Sequence, residues 1–286
     1  MKKVGVVGCG TMGGGIAQLC AQSGYQVVVS EINDELLNKG LAKIEAFLVK
    51  GVERGKVTPE EKEATLSRIK GTTSMGDFSD CDLVIEAAVE NIEIKKKIFA
   101  ELDKACQAKT ILASNTSSLS VIDIANATNR PEKVLGLHFF NPPQLMKLLE
   151  LVKSIAAGEE TVKIGKSFGE TLGKTVIVAP DVPGFIVNRL QLPFRLDAIR
   201  MLEDGIATRE DIDTALTLGL GHPMGQLALQ DLVGIEVTCA AVSAIYDETK
   251  DERYLPPTLM KKMVAAGWLG RKSGKGFYDY SQEGKK

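Results

Sequence analysis

The chain is poor in the features that would make it a disulfide scaffold, a membrane protein or a polyelectrolyte binder. Its five cysteines, Cys9, Cys20, Cys81, Cys106 and Cys239, are scattered, odd in number and contain no C-x-x-C pair. That spacing argues against a disulfide framework or a zinc site and reads as reduced thiols in a cytosolic protein. No apolar run approaches the ~20 residues of a membrane span. The N-terminus passes straight into a strand-like run, which leaves no room for a signal peptide. Charge of one sign is also missing, since 35 basic and 37 acidic residues leave a net −2. A whole-chain field for nucleic acid or a membrane surface is therefore absent, and any anion site must be local. Aromatics are lean at 5%, but 44% hydrophobic residues suffice for packed cores. The expectation is a soluble cytoplasmic protein with no metal, nucleic-acid or membrane partner.

The order of apolar and polar segments predicts an α/β N-terminal domain followed by an all-α domain. Residues 3–7 read as a strand, 13–23 as a small-residue helix and 26–31 as a second strand, the β–turn–α–β unit of a parallel sheet. Thr58-Pro59-Glu60-Glu61 reads as an N-cap, a first-turn proline and a capping-box glutamate. Further strands are expected at 83–87, 111–114, 134–139 and 175–178. The stretch LMKLLELVK, which carries Glu150, reads as helix. Ala179-Pro180-Asp181-Val182-Pro183-Gly184 marks a boundary, with domains at 1–183 and 184–286. Beyond it Ile186, Leu190, Phe194, Ala198 and Met201 recur at helical spacing. Thr208 starts another helix, 219–225 breaks the next, and 281–286 reads as a frayed tail.

Gly8-Cys9-Gly10-Thr11-Met12-Gly13 fits G-x-G-x-x-G with a strand before it and a helix after it. Gly8 permits the tight turn, Gly10 lets backbone approach a pyrophosphate, and Gly13 lets helix and strand pack closely. The helix N-terminus then offers free N–H groups to phosphate. Glu31 closes the second strand. Its carboxylate can accept ribose hydroxyls and repels a 2′-phosphate, which favours NAD over NADP.

Only two histidines occur. His138 ends a strand-like run in GLHFFNPP, and a carboxylate, Glu150, follows on a separate element. A histidine near neutral pKa suits proton removal from an alcohol, and a carboxylate behind it stabilises the imidazolium. His222, in the turn GLGHPMG, reads as structural. Ser114-Asn115-Thr116-Ser117-Ser118 follows a strand and fits two uses equally, ligand contact at a strand's carboxyl end or a helix cap. Asn188, near the domain boundary, fits a cap or a ligand contact. Lys50, Arg54 and Lys56 read first as a solvated helix face.

These segments together resemble the short-chain L-3-hydroxyacyl-CoA dehydrogenases, particularly the bacterial 3-hydroxybutyryl-CoA dehydrogenases. The resemblance runs over essentially the whole chain, through GCGTMGGGIAQ (8–18), EAAVEN (86–91), ASNTSSLS (113–120) and GLHFFNPPQLMKLLE (136–150). It continues in VPGFIVNR (182–189), ALTLGLGHPMGQLAL (215–229) and GRKSGKGFYDY (270–280). It implies a Rossmann-type NAD-binding domain, with His138 as catalytic base, Glu150 as its acidic partner, and Ser117 and Asn188 as catalytic-site contacts to substrate. Glu31, Glu90, Lys95, Asn115, Ser117, Asn141 and Lys272 then join residues 8–13 in lining the cofactor. The resemblance also turns Lys50, Arg54 and Lys56, with Ser117, into candidates for the acyl-CoA substrate. The chain departs from the family's usual residues at Cys9, near-isosteric with the commoner alanine, and at Glu31, where aspartate is commoner. A homodimer through the C-terminal domain is expected. A related enzyme acting on a hydroxy acid without CoA, and a non-catalytic NAD-binding relative, are the alternatives. The basic set speaks against the first and the intact Ser117, His138, Glu150, Asn188 set against the second.

Overall fold

Strand β1 (Lys3–Val7) is apolar because it is central: Val4 and Val6 are fully buried. Gly8 follows at φ 94°, a left-handed value that glycine adopts without a Cβ penalty. The chain then turns into α1 (Thr11–Gln22), whose sheet-facing side is built from small residues. A methyl group at Gly13 would lie 1.9 Å from the Gly8 carbonyl oxygen, so the helix can approach this closely only with glycine there. β2 (Gln26–Ser30) returns parallel to β1, with Val4 opposite Val27.

α2 (Asp34–Glu53) starts at Asn33, whose side chain accepts from the Leu36 N–H at 2.9 Å. α3 (Pro59–Ser67) begins with the expected capping box. Thr58 Oγ1 accepts from the Glu61 N–H at 3.1 Å and Glu61 Oε2 from the Thr58 N–H at 2.8 Å. There follow β3 (Ile69–Thr72), β4 (Leu83–Glu86), α4 (Ile92–Ala105), β5 (Ile111–Ser114) and α5 (Val121–Ala125). The unit closes with β6 (Val134–Phe139), β7 (Leu148–Lys153), α6 (Glu159–Thr171) and β8 (Thr175–Pro180).

The computed structural model describes residues 1–282, and positions 283–286 of the expected tail lie outside the described residues. Contacts divide the chain into two units, Met1–Phe185 and Ile186–Lys286. The first holds one eight-stranded sheet in the order β3-β2-β1-β4-β5-β6-β7-β8. All ladders from β3 to β6 are parallel, β7 is antiparallel to β6, and β8 is parallel to β7. Strand order reverses at β1, so the loops after β1 and β4 diverge and open a crevice at their carboxyl ends.

Two strands differ from the sequence expectation. β3 has no apolar signature, being a four-residue edge strand, Ile-Lys-Gly-Thr. LMKLLELVK is not helix: its residues 148–153 form β7, and Glu150 lies on a strand. Leu149, Glu150, Leu151 and Val152 are all fully buried because β7 is flanked by β6 and β8 and covered on both faces. Such a strand reads as a continuous run with no alternation, which periodicity alone does not separate from a buried helix.

The second unit is helical, as expected: α7 (Val187–Glu203), α8 (Arg209–Thr214), α9 (Gln226–Val233), α10 (Ile235–Thr249) and α11 (Thr258–Ala265). The Thr208 side chain accepts from the Asp211 N–H and caps α8. A π-helical turn, Ala215–Gly219, precedes the break before α9. The face of α7 that enters the core is Leu192, Arg195, Leu196 and Ile199. The stripe read from sequence mostly faces out, with Leu190 73%, Met201 40% and Phe194 38% exposed. α7 is apolar on two faces, and periodicity gives no preference between them.

Candidate active site

Sequence-selected residues at the ends of β1, β2, β4, β5 and β6 gather along the carboxyl edge of the parallel strands. After β1, Gly10 is the N-cap of α1 and supplies no side-chain cap, and a methyl group there would meet nothing within 4 Å. The first-turn N–H groups beside Thr11 and Met12 thus have an open approach, which suits a phosphate. Glu31 leans over this loop: its Oε1 accepts from the Cys9 N–H at 2.8 Å and its Oε2 from the Ile32 N–H at 3.2 Å. A carboxylate held at the end of β2 fits the adenosine ribose of NAD and leaves a 2′-phosphate facing negative charge. Cys9 is 2% exposed, and burial, with the Glu31 charge behind it, pushes its thiol up to about 11. At neutral pH it is an uncharged packing residue, as its near-isosteric reading from sequence required.

A buried polar network joins the β4 and β5 loops. Glu86, fully buried, receives Lys95 Nζ at 2.7 and 2.9 Å, Ser114 Oγ at 2.6 Å and the Ala88 N–H at 2.7 Å. Lys95 is 1% exposed and also reaches Glu90 Oε2 at 3.4 Å. Removing one member of such a buried pair typically costs about 3–5 kcal/mol, because the survivor is left charged and unpaired. Glu90 Oε1 in turn accepts from Thr116 Oγ1 at 2.7 Å, the Ser117 N–H at 2.8 Å and Ser117 Oγ at 3.2 Å. Burial works to raise the pKa of Glu90. The Lys95 charge and the Thr116 and Ser117 hydrogen bonds outweigh it, so this carboxyl titrates below its usual range. The hydroxyls of Ser114, Thr116 and Ser117 thus serve the two glutamates, and the cap of α5 is Ser120, with the Asp181 carboxylate on Val121 and Ile122.

His138 lies on β6 directly opposite Glu150 on β7. Opposite residues share a sheet face, and His138 Nδ1 meets Glu150 Oε2 at 2.6 Å. The histidine is 7% exposed and the glutamate fully buried. Two rings flank the imidazole, Phe140 at 4.6 Å and Phe185 at 5.7 Å between centroids. Asn115 Oδ1 accepts from the Phe139 N–H at 2.9 Å, tying the β5 loop to the end of the histidine strand.

Asn141, exposed and joined to Pro142 by a cis peptide bond, lies just beyond β6. With Gly10, Thr11, Gln18, Lys43 and Gln144 it lines a cavity of about 250 Å³ beside the glycine loop. Lys50 is in the last turn of α2, Arg54 is its C-cap and Lys56 follows, all exposed. Cations there also complement the helix dipole, which is the plain reading of their position. In the second unit, Asn188 follows Val187 in the first turn of α7 and is not its cap, a position held by Ile186. Lys272 pairs with Glu236, and His222 contacts Phe194 and Gln226.

Residues 3–182 match the model of the 3-hydroxyacyl-CoA dehydrogenase NAD binding domain, and 184–280 that of the 3-hydroxyacyl-CoA dehydrogenase C-terminal domain. The chain belongs to the 3-hydroxyacyl-CoA dehydrogenase family. It is 45% identical to a 3-hydroxybutyryl-CoA dehydrogenase of Bradyrhizobium diazoefficiens, over 98% of this chain and 96% of that one. A 3-hydroxyadipyl-CoA dehydrogenase of Escherichia coli is 42% identical over 99% of this chain and 60% of its own length. The crystal structure of an (S)-3-hydroxybutyryl-CoA dehydrogenase from Ralstonia eutropha superposes with a TM-score of 0.96 at 42% identity, covering 99% of this chain and all of that one. This protein is thus an oxidoreductase of the family with an NAD-binding domain.

Glu86, Lys43, Gln18, Gln144 and Phe185 were not singled out in the sequence. EAAVEN holds Glu86 in plain sight, but only the Lys95 and Ser114 contacts reveal its burial. Glu31 generates a test of cofactor choice. Glu31→Ser with Ile32→Arg removes the repulsion and supplies a cation, Ile32 being 85% exposed and free to change. The ratio of kcat/KM for NADPH over NADH is expected to rise more than about tenfold. An unmoved ratio in steady-state assays means selection occurs elsewhere.

Proposed function

We propose that this enzyme interconverts (S)-3-hydroxybutyryl-CoA and acetoacetyl-CoA with NAD, His138 serving as general base in oxidation and general acid in reduction. The observation that carries the reading is the 2.6 Å His138–Glu150 contact on the same sheet edge as the glycine loop and Glu31. The carboxylate accepts from Nδ1, which fixes the tautomer and leaves Nε2 as the basic nitrogen. Nε2 takes the 3-hydroxyl proton, and the imidazolium so formed lies against the Glu150 charge. In reduction the same nitrogen returns the proton to the 3-oxo group. Bound NAD supplies the hydride acceptor, and the residues around it supply orientation.

NAD is held by residues 8–13, Glu31, Glu90, Asn115, Ser117, Asn141 and Lys272, with Lys95 acting from below through Glu90. Ser117 and Asn188 contact the substrate near its reacting carbon. Lys50, Arg54 and Lys56 attract the CoA phosphates. The butyryl chain is chosen because relatives of 45% identity carry that activity in their names. The protein works in the cytoplasm, as a homodimer through its second unit. Leu190, Leu220, Leu232 and Val237 are each more than half exposed there, and burying them against a second copy would recover apolar area. Sedimentation at micromolar concentration should give twice the chain mass, and a monomer would refute the dimer.

The deciding assay follows NADH loss with acetoacetyl-CoA and with free acetoacetate. Turnover of the thioester alone supports the proposal; equal turnover of both identifies an enzyme of free hydroxy acids, and turnover of neither a non-catalytic relative. His138→Ala is expected to lower kcat by about two to four orders of magnitude while NADH binding stays nearly intact. Glu150→Gln keeps the shape but loses the charge that fixes the tautomer, so kcat should fall at least about a hundredfold. A kcat within a few-fold of wild type in either variant refutes that residue's role.

Replacing Lys50 and Arg54 together with Ala should raise KM for acetoacetyl-CoA about tenfold with a much smaller change in kcat. The penalty should shrink in high salt, because exposed charges are screened. A truncated thioester without the nucleotide should show none. If both thioesters suffer alike, these residues do not bind the CoA phosphates.

A further inference from the structure

Phe185 combines a ring contact to the proposed base with an unusual backbone. It is 2% exposed, and its ring lies 5.7 Å from the His138 ring with the planes 58° apart. Its φ is 47°, in the left-handed region that bulky side chains rarely occupy. Gly184 before it is also left-handed, at 76°. The turn is held by the Phe185 N–H on the Val182 carbonyl at 3.0 Å and the Val182 N–H on the Pro180 carbonyl at 3.0 Å. A glycine at 185 would adopt this backbone freely, yet the position carries a large ring packed against the histidine. Such a conformation persists only where surrounding contacts over-determine it.

The hydrogen bond to Glu150 fixes one ring nitrogen of His138 and leaves the plane free to tilt about that contact. Tilted aromatic contacts constrain the plane, and Phe140 and Phe185 supply two of them. We propose that Phe185 is a positioning residue whose ring holds the His138 imidazole in the orientation where Nδ1 meets Glu150 and Nε2 meets the substrate. This rests on His138 being the general base.

Two variants separate the ring from the backbone. Phe185→Leu keeps apolar bulk without an aromatic plane, and Phe185→Gly removes the ring while relieving the left-handed φ. Both should lower kcat about tenfold, with KM for acetoacetyl-CoA and the NADH dissociation constant changed less than about twofold. In a His138→Ala background neither substitution should lower the residual rate further, because the ring acts only through the histidine. A wild-type kcat in Phe185→Gly, a loss confined to KM or NADH binding, or an undiminished loss in the His138→Ala background would each overturn the positioning role. Phe185→Leu decides the matter if the glycine variant fails to fold. A His138→Ala enzyme near the wild-type rate would overturn the base assignment and this inference with it. A crippled His138→Ala enzyme beside fully active Phe185 variants would overturn this inference alone.

Discussion

The antiparallel pairing of β7 with β6 is the constraint on which the site depends. It sets His138 opposite Glu150 with both side chains on one face of the sheet. A slip of one residue would send the carboxylate to the other face and leave it in the core without the imidazole. Register is held by the apolar neighbours Leu149, Leu151 and Val152, all fully buried, and by β8 on the far side of β7. The His138–Glu150 contact is therefore a product of sheet packing, and the glutamate tolerates full burial because its partner is built opposite it.

A second polar centre joins the ends of β4 and β5 to the histidine strand. Glu86 and Lys95 neutralise each other inside the sheet edge, and Glu90 carries the arrangement outward to Thr116 and Ser117. Asn115 then closes the path to β6 by accepting from the Phe139 N–H. The loops after β4 and β5 are thus hydrogen-bonded to each other and to the end of β6. A group of this kind rigidifies when fully satisfied, which holds the carboxyl ends of β4, β5 and β6 fixed relative to one another.

Much of this was legible in the residues. The fold class, the glycine turn, the capping box at Thr58 and most strands follow from short-range rules, because turn chemistry and backbone propensity act over a few residues. The candidate pair His138 and Glu150 is legible as a histidine at a strand end and a nearby carboxylate, yet the run bearing Glu150 reads as helix and forms strand β7. A strand covered on both faces loses the alternation that distinguishes it. The outward stripe of α7 misled for a related reason: periodicity reports an apolar face but says nothing of what it packs against.

By itself the sequence determined the glycine turn between strand and helix, Glu31 as a candidate cofactor residue, the division into α/β and helical parts, and the family. These depend on residue type at fixed local spacing. Only the tertiary structure decided that Lys95 lies buried beneath Glu90, that the hydroxyls of Ser114, Thr116 and Ser117 serve two glutamates, and that Phe185 touches the histidine ring. Each of those contacts joins residues 26 or more apart or turns on burial, and both are settled when strands pair and pack rather than by any local preference of the chain.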